Sequence, residues 1–173
     1  MSSKKAKSKK AKTPMNKNTK ILIYALACIV FLVTVILIAL ENVPNRFVVM
    51  NNTGKTLEYV KAYFVDEEGP FTETIQVESL KDGDKAEIDL GKIDFSYLEA
   101  NLELRFKFEG YDELFVDTGY FNEVFDGKIT VTFTGKDDKV LLHVKAANGI
   151  LPNPNINCND EYVVNLEEGY VED

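Results

Sequence analysis

Outside one long apolar run, the 173-residue sequence carries a single cysteine, Cys158, a single histidine, His143, and two arginines, Arg46 and Arg105. A thiol activated by an imidazole is the one nucleophile and base these residues could form, so a hydrolase or transpeptidase using Cys158 and His143 is the catalytic alternative. His143 sits between Leu142 and Val144, which puts it on the water face of a strand, where a solvated imidazole is the ordinary outcome. One His and one Cys also fall short of the three or four ligands zinc requires. Calcium fits the composition better, since 28 acids and many asparagines offer hard oxygen ligands and Asn155-x-Asn157-x-Asn159 has alternate-position spacing. In a calcium loop, however, the sixth residue should be Gly and the twelfth a bidentate Glu; here they are Asp160 and Leu166. The pairs Asp82/Asp84 and Asp137/Asp138 read as turn residues. A calcium-dependent structural module is therefore a second alternative, and no cofactor or metal ligand is expected.

Gly54-Lys55-Thr56 has the ending of a phosphate-binding loop, but Val49 stands where its first Gly belongs. No Gly-x-Gly occurs, which excludes a dinucleotide fingerprint. Asn51-Asn52-Thr53 is a glycosylation sequon. The absence of Trp argues against stacking on sugars, yet Phe and Tyr are plentiful. Tyr111, Phe115, Tyr120, Phe121 and Phe125 fall close together in YDELFVDTGYFNEVF. Two readings compete: a sandwich core, or an exposed loop in which Tyr120, Phe121 and Phe125 anchor a protein partner. The second gives the candidate binding residues.

These side chains must be positioned by three physically different regions. Residues 1–20 hold eight lysines and no acid, residues 21–40 hold no charge, and the remainder holds 12 basic against 28 acidic residues, net −16. Ile21 to Leu40 is long enough at about 1.5 Å per residue to match a hydrocarbon core of about 30 Å. A cut after Ala39 would place bulky Leu37 three positions before it, so an uncleaved signal anchor is expected and not a signal peptide. Lysine asymmetry predicts a cytoplasmic 1–20 tail and a domain outside the membrane. The tail's position beside the span reads as topology plus attraction to anionic head groups; no nucleic-acid partner is expected. Cys28 is a small apolar residue of the span.

Past the membrane, hydrophobicity alternates with period two. Asn101–Glu109, Gly127–Thr134 and Val140–Lys145 are the clearest strands, and Arg46–Asn51, Thr56–Val65, Phe71–Val77, Lys85–Leu90, Leu114–Asp117 and Glu161–Asn165 are further candidates. Turn residues such as Asn-Thr-Gly, Asp-Gly-Asp and Gly-Lys-Asp-Asp separate them. This predicts an all-β domain, an immunoglobulin-like antiparallel β-sandwich of about 7–9 strands. It would span 46–147, behind a linker at 41–45, with one helical turn at 96–100. Residues 148–173 read as an irregular acidic extension with at most one edge strand. The expected function is a non-catalytic, membrane-anchored module that docks a protein partner at a bacterial cell envelope. The oligomeric state is not legible.

Overall fold

A computed structural model describes residues 16–41, 45–96, 98–149 and 153–172. The first 15 residues of the basic tail, positions 42–44 of the linker and Tyr97 of the expected helical turn lie outside them. The chain divides into two compact units, separated after Ala39.

The described part of the first unit is helical, and its helix α1 runs from Lys17 to Glu41. Asn16 caps it: its side-chain oxygen accepts the Asn18 amide at 3.3 Å and its carbonyl the Lys20 amide at 3.1 Å. The apolar side chains are exposed around the whole circumference, with no polar stripe, and the helix is long and apolar enough to cross a membrane. Thr34 donates back to the Val30 carbonyl at 2.9 Å, so its hydroxyl is satisfied within the helix.

Among its described residues the second unit has twelve strands: β1 (Arg46–Asn52), β2 (Leu57–Asp66), β3 (Gly69–Pro70), β4 (Ile75–Leu80), β5 (Lys85–Asp89), β6 (Ala100–Phe108), β7 (Leu114–Phe121), β8 (Lys128–Lys136), β9 (Lys139–Ala147), β10 (Ile156–Asn157), β11 (Asn159–Asn165) and β12 (Tyr170–Glu172). One sheet runs β12-β11-β9-β8-β1-β5; the other runs β10-β7-β6-β2, and the far edge of β2 is shared by β3 and β4. Strict alternation lets each sheet bury one face against the other. Phe106 and Phe108 of β6 meet Phe133 of β8 at 5.1 and 5.6 Å between ring centres, and Phe64, Phe95, Phe121 and Phe125 form a second buried aromatic group. The result is a sandwich-like pair of sheets with a continuous apolar core.

Several expectations need correcting. The sheets are not wholly antiparallel: β1 pairs β8 in parallel from Arg46 opposite Lys128 to Asn52 opposite Thr134. These two strands are remote in sequence, so no hairpin dictates their direction, and β1 has the consecutive buried run Phe47, Val48 and Val49 typical of an interior strand. The strand placed at Phe71–Val77 lies instead at Ile75–Leu80, with Phe71 in the segment that precedes it. The segment 96–100 shows a single turn closed by the Leu98 amide on the Phe95 carbonyl at 2.9 Å, and Ala100 already belongs to β6. The described part of 148–173 is not irregular. It supplies β10, β11 and β12, and β11 is interior, between β9 and β12.

Candidate docking surface

The structure does not bring Tyr120, Phe121 and Phe125 together as an exposed patch. Phe121 and Phe125 have no exposed surface and pack edge to face at 5.6 Å. The cause is a bulge in β7. Ala100 pairs with Phe121 and Leu102 with Thr118, so two steps on β6 oppose three on β7. The extra residue sits at Gly119, whose φ of +71° suits glycine. The bulge reverses the alternation, sending Phe121 inward and Tyr120 outward. Tyr120 is half-buried; its hydroxyl donates to Glu99 at 3.2 Å and accepts from Asn122 at 2.9 Å.

The aromatic surface that is exposed lies elsewhere, on the outer face of the β4-β2-β6-β7 sheet. Because Val60, Ala62 and Phe64 point inward from β2, Tyr59, Lys61 and Tyr63 point outward; β6 presents Glu103, Arg105 and Lys107, and β7 presents Phe115. Arg105 is the hub. Its Nε donates to the Tyr63 hydroxyl at 2.8 Å and to Glu103 at 2.6 Å, and its NH1 to Glu113 at 3.2 Å. Tyr63 donates to the same Glu103 carboxylate, and Tyr59 donates to Glu113 at 2.5 Å. The guanidinium lies 5.2 Å from the centre of the Phe115 ring, and the Lys61 ammonium 4.5 Å from that of Tyr59. Lys107 pairs with Glu58 at 2.9 Å.

This lattice fixes charge as well as shape. The carboxylate of Glu113 accepts a hydrogen bond from the Tyr59 hydroxyl, which pushes that phenol up to about 12. The same bond, helped by Arg105, holds Glu113 below the ordinary carboxylate range. Arg105 is held more firmly protonated by its bond to Tyr63 first and then by Glu113 and Glu103. Phe115 is left 54% exposed, the most open large apolar side chain described in the β domain. Tyr, Arg and Phe side chains already ordered by one another can be buried by a partner at low entropic cost. Alternation on β6 put Arg105 on the water face from sequence; Tyr59 and Tyr63 could be found only by fixing the register of β2.

The structure places Cys158 in the core and His143 on the outer face of its sheet. Cys158 is 3% exposed, and burial pushes its thiol up to about 12, away from the thiolate a nucleophile needs. Its sulfur lies 3.8 Å from Thr118 Oγ1 and 3.9 Å from the Val144 carbonyl. His143 leaves the opposite face of the sheet, with Nε2 3.1 Å from Asn159 Oδ1. Among the described residues no three His, Cys, Asp or Glu side chains gather around a common point. Two of the asparagines of the calcium-like spacing have partners in the fold: Asn155 donates to Glu123 at 2.9 Å, and Asn159 Oδ1 lies 3.1 Å from His143 Nε2. Asp82 and Asp84 bond the Gly54 and Lys81 amides at 2.9 and 3.1 Å, as turn residues do.

The sequon residue Asn51 is fully buried. Its amide donates to the carbonyls of Lys55 at 2.8 Å and Leu80 at 2.9 Å, and its oxygen accepts the Thr53 hydroxyl at 2.7 Å. The motif therefore ties two turns to the end of β1. Compared with family models, with curated proteins and with solved structures, the chain matches none.

Proposed function

We propose that this chain is a single-pass membrane protein, amino terminus cytoplasmic, whose acidic, immunoglobulin-like sandwich acts outside the membrane as a non-catalytic docking module for a protein partner of a bacterial envelope. The observation that carries the reading is the outer sheet face built on Tyr59, Tyr63, Arg105 and Phe115, ordered by its own hydrogen bonds and left open. The lysine-rich start, the apolar α1 and the two-sheet packing support the topology and the fold. The buried, high-pKa Cys158 and the outward His143 lend no support to the hydrolase or transpeptidase alternative. The bonded Asp and Asn side chains lend none to the calcium alternative.

The test is site-specific photocrosslinking in intact cells. A photoreactive residue replacing Phe115 should yield a discrete crosslinked species, whereas one replacing Thr130, on the outer face of the other sheet, should not. Equal or absent crosslinking at the two positions would overturn the assignment of this face. Orientation is tested separately: Asp138→Cys, in an exposed turn, should react with a membrane-impermeant maleimide added to whole cells.

A further inference from the structure

A sandwich has two open seams where the edges of its sheets meet, and edge strands left unprotected are templates for another chain. Three of the edges here are blunted: β12 has three residues, β10 has two, and β3 has two, one of them Pro70. The remaining edges, β4 with six residues and β5 with five, contain no proline and border the same seam. Between them lies a cleft of about 640 Å³ whose apolar side chains, Ile75, Ile88, Leu90 and Ile93, are only partly covered.

The phase of the β1–β5 ladder shows which backbone groups face that seam. Leu90 donates its amide to the Asn45 carbonyl at 3.1 Å, and Asn51 donates to Asp84 at 3.0 Å. Both bonds join residues in the register of Phe47 with Ile88 and Val49 with Ala86. In an antiparallel ladder alternate pairs exchange their bonds, so Ala86 and Ile88 turn their N–H and C=O groups toward β1. Lys85, Glu87 and Asp89 therefore turn theirs outward. A strand laid along β5 would meet three unpaired N–H and C=O pairs, while the side chains on its inner face would cover the partly exposed Ile88 and Ile75.

Charge decides the kind of strand. The β domain belongs to the stretch that carries net −16, so a second copy is repelled and a basic chain is attracted. At the cleft itself the charges balance: Arg46 pairs with both Glu87 and Asp89, Lys85 pairs with Glu87, and Glu73 stands on the rim with Lys92, so the preference for a basic chain comes from the domain as a whole. We propose that β5 accepts an extended segment of a basic partner protein, apolar at alternate positions, as an added edge strand that closes the seam. This rests on the ladder phase and the cleft, and is independent of the face assigned above.

The probe is a nine-residue peptide alternating Lys with Ile, added to the full-length protein in a neutral detergent and followed by amide-resolved hydrogen exchange. The expected result is at least tenfold slower exchange at Lys85, Glu87 and Asp89, with Ala86 and Ile88 unchanged. A peptide of the same composition with its alternation destroyed, and one with Glu for Lys, should give no protection. Glu87→Pro, which removes an outward N–H, should abolish the effect, and Glu87→Ala should keep it. No protection at those three amides, or equal protection by the non-alternating or acidic peptide, overturns the proposal. The peptide comparison on the unaltered protein decides the matter even if the proline variant fails to fold.

Discussion

Asn51 offers the sharpest test of how this domain is held together. Its side chain is wholly buried and supplies one donor to the buried Leu80 carbonyl and the other to the carbonyl of exposed Lys55. Asn51→Ala removes both at once. A buried carbonyl left without a donor costs about 1–3 kcal/mol. The Thr53 hydroxyl, already 3.4 Å from the Lys55 carbonyl, can relieve one of the two when it loses Asn51 as an acceptor. The loss should come to about 1–3 kcal/mol, set by the Leu80 carbonyl, or roughly 4–10 °C in Tm for a domain of this size. Asn51→Asp should cost more, because it sets a buried carboxylate against two carbonyl oxygens. The assay is urea denaturation of the full chain in mild detergent, read by the near-ultraviolet circular dichroism of tyrosine, since the protein has no Trp. If both variants fall within 0.5 kcal/mol of the parent, the side chain does not bind the turns as described. The same burial predicts that expression in a host with glycosylation machinery will leave glycan at Asn51 only in the unfolded, aggregated fraction, as a gel shift on glycosidase treatment would show.

Three further outcomes follow from named contacts. Gly119→Ala places a Cβ 2.6 Å from that of Cys158 at a φ of +71°, and should destabilise by about 2–4 kcal/mol; adding Cys158→Gly should recover the steric part in a double-mutant cycle. The Cys158 thiol, buried and raised to about 12, should react with iodoacetamide at pH 8 far more slowly than in urea, with peptide mass spectrometry as the readout; fast labelling of the native protein would contradict its placement. Tyr59→Phe removes the bond that holds Glu113 below its ordinary value of 4.5. A depressed carboxylate contributes stability that is present above its unfolded pKa and lost as the pH falls through the folded one. The stability difference between parent and variant should therefore be constant from pH 6 to 8 and shrink as the pH drops below 4.5.

What the sequence by itself determined is what short-range periodicity encodes. Ile21 to Leu40 is apolar on every side, so its helix has no choice of face, and the inward sets Leu102, Leu104, Phe106 and Ile129, Val131, Phe133 follow from side chains alternating across a strand. Tertiary structure decided everything that depends on pairing between distant residues. Leu114–Asp117 alternates correctly, but only the pairing of β7 with β6 reveals the bulge at Gly119 that turns Phe121 into the core. Asn51 reads only as the end of a strand beside a turn, because the carbonyls its side chain binds lie 4 and 29 residues away. The carboxy-terminal segment looks irregular because its Pro and Asn suppress alternation, yet β11 gains its ladder from β9 and its anchor from Asp160, which accepts Thr118 Oγ1 at 2.6 Å and the Gly119 amide at 3.0 Å across the seam between the sheets. The aromatic face was hidden for the same reason: Tyr59, Tyr63 and Arg105 are neighbours only once β2 and β6 are in register, and register is a property of two strands, which no single segment carries.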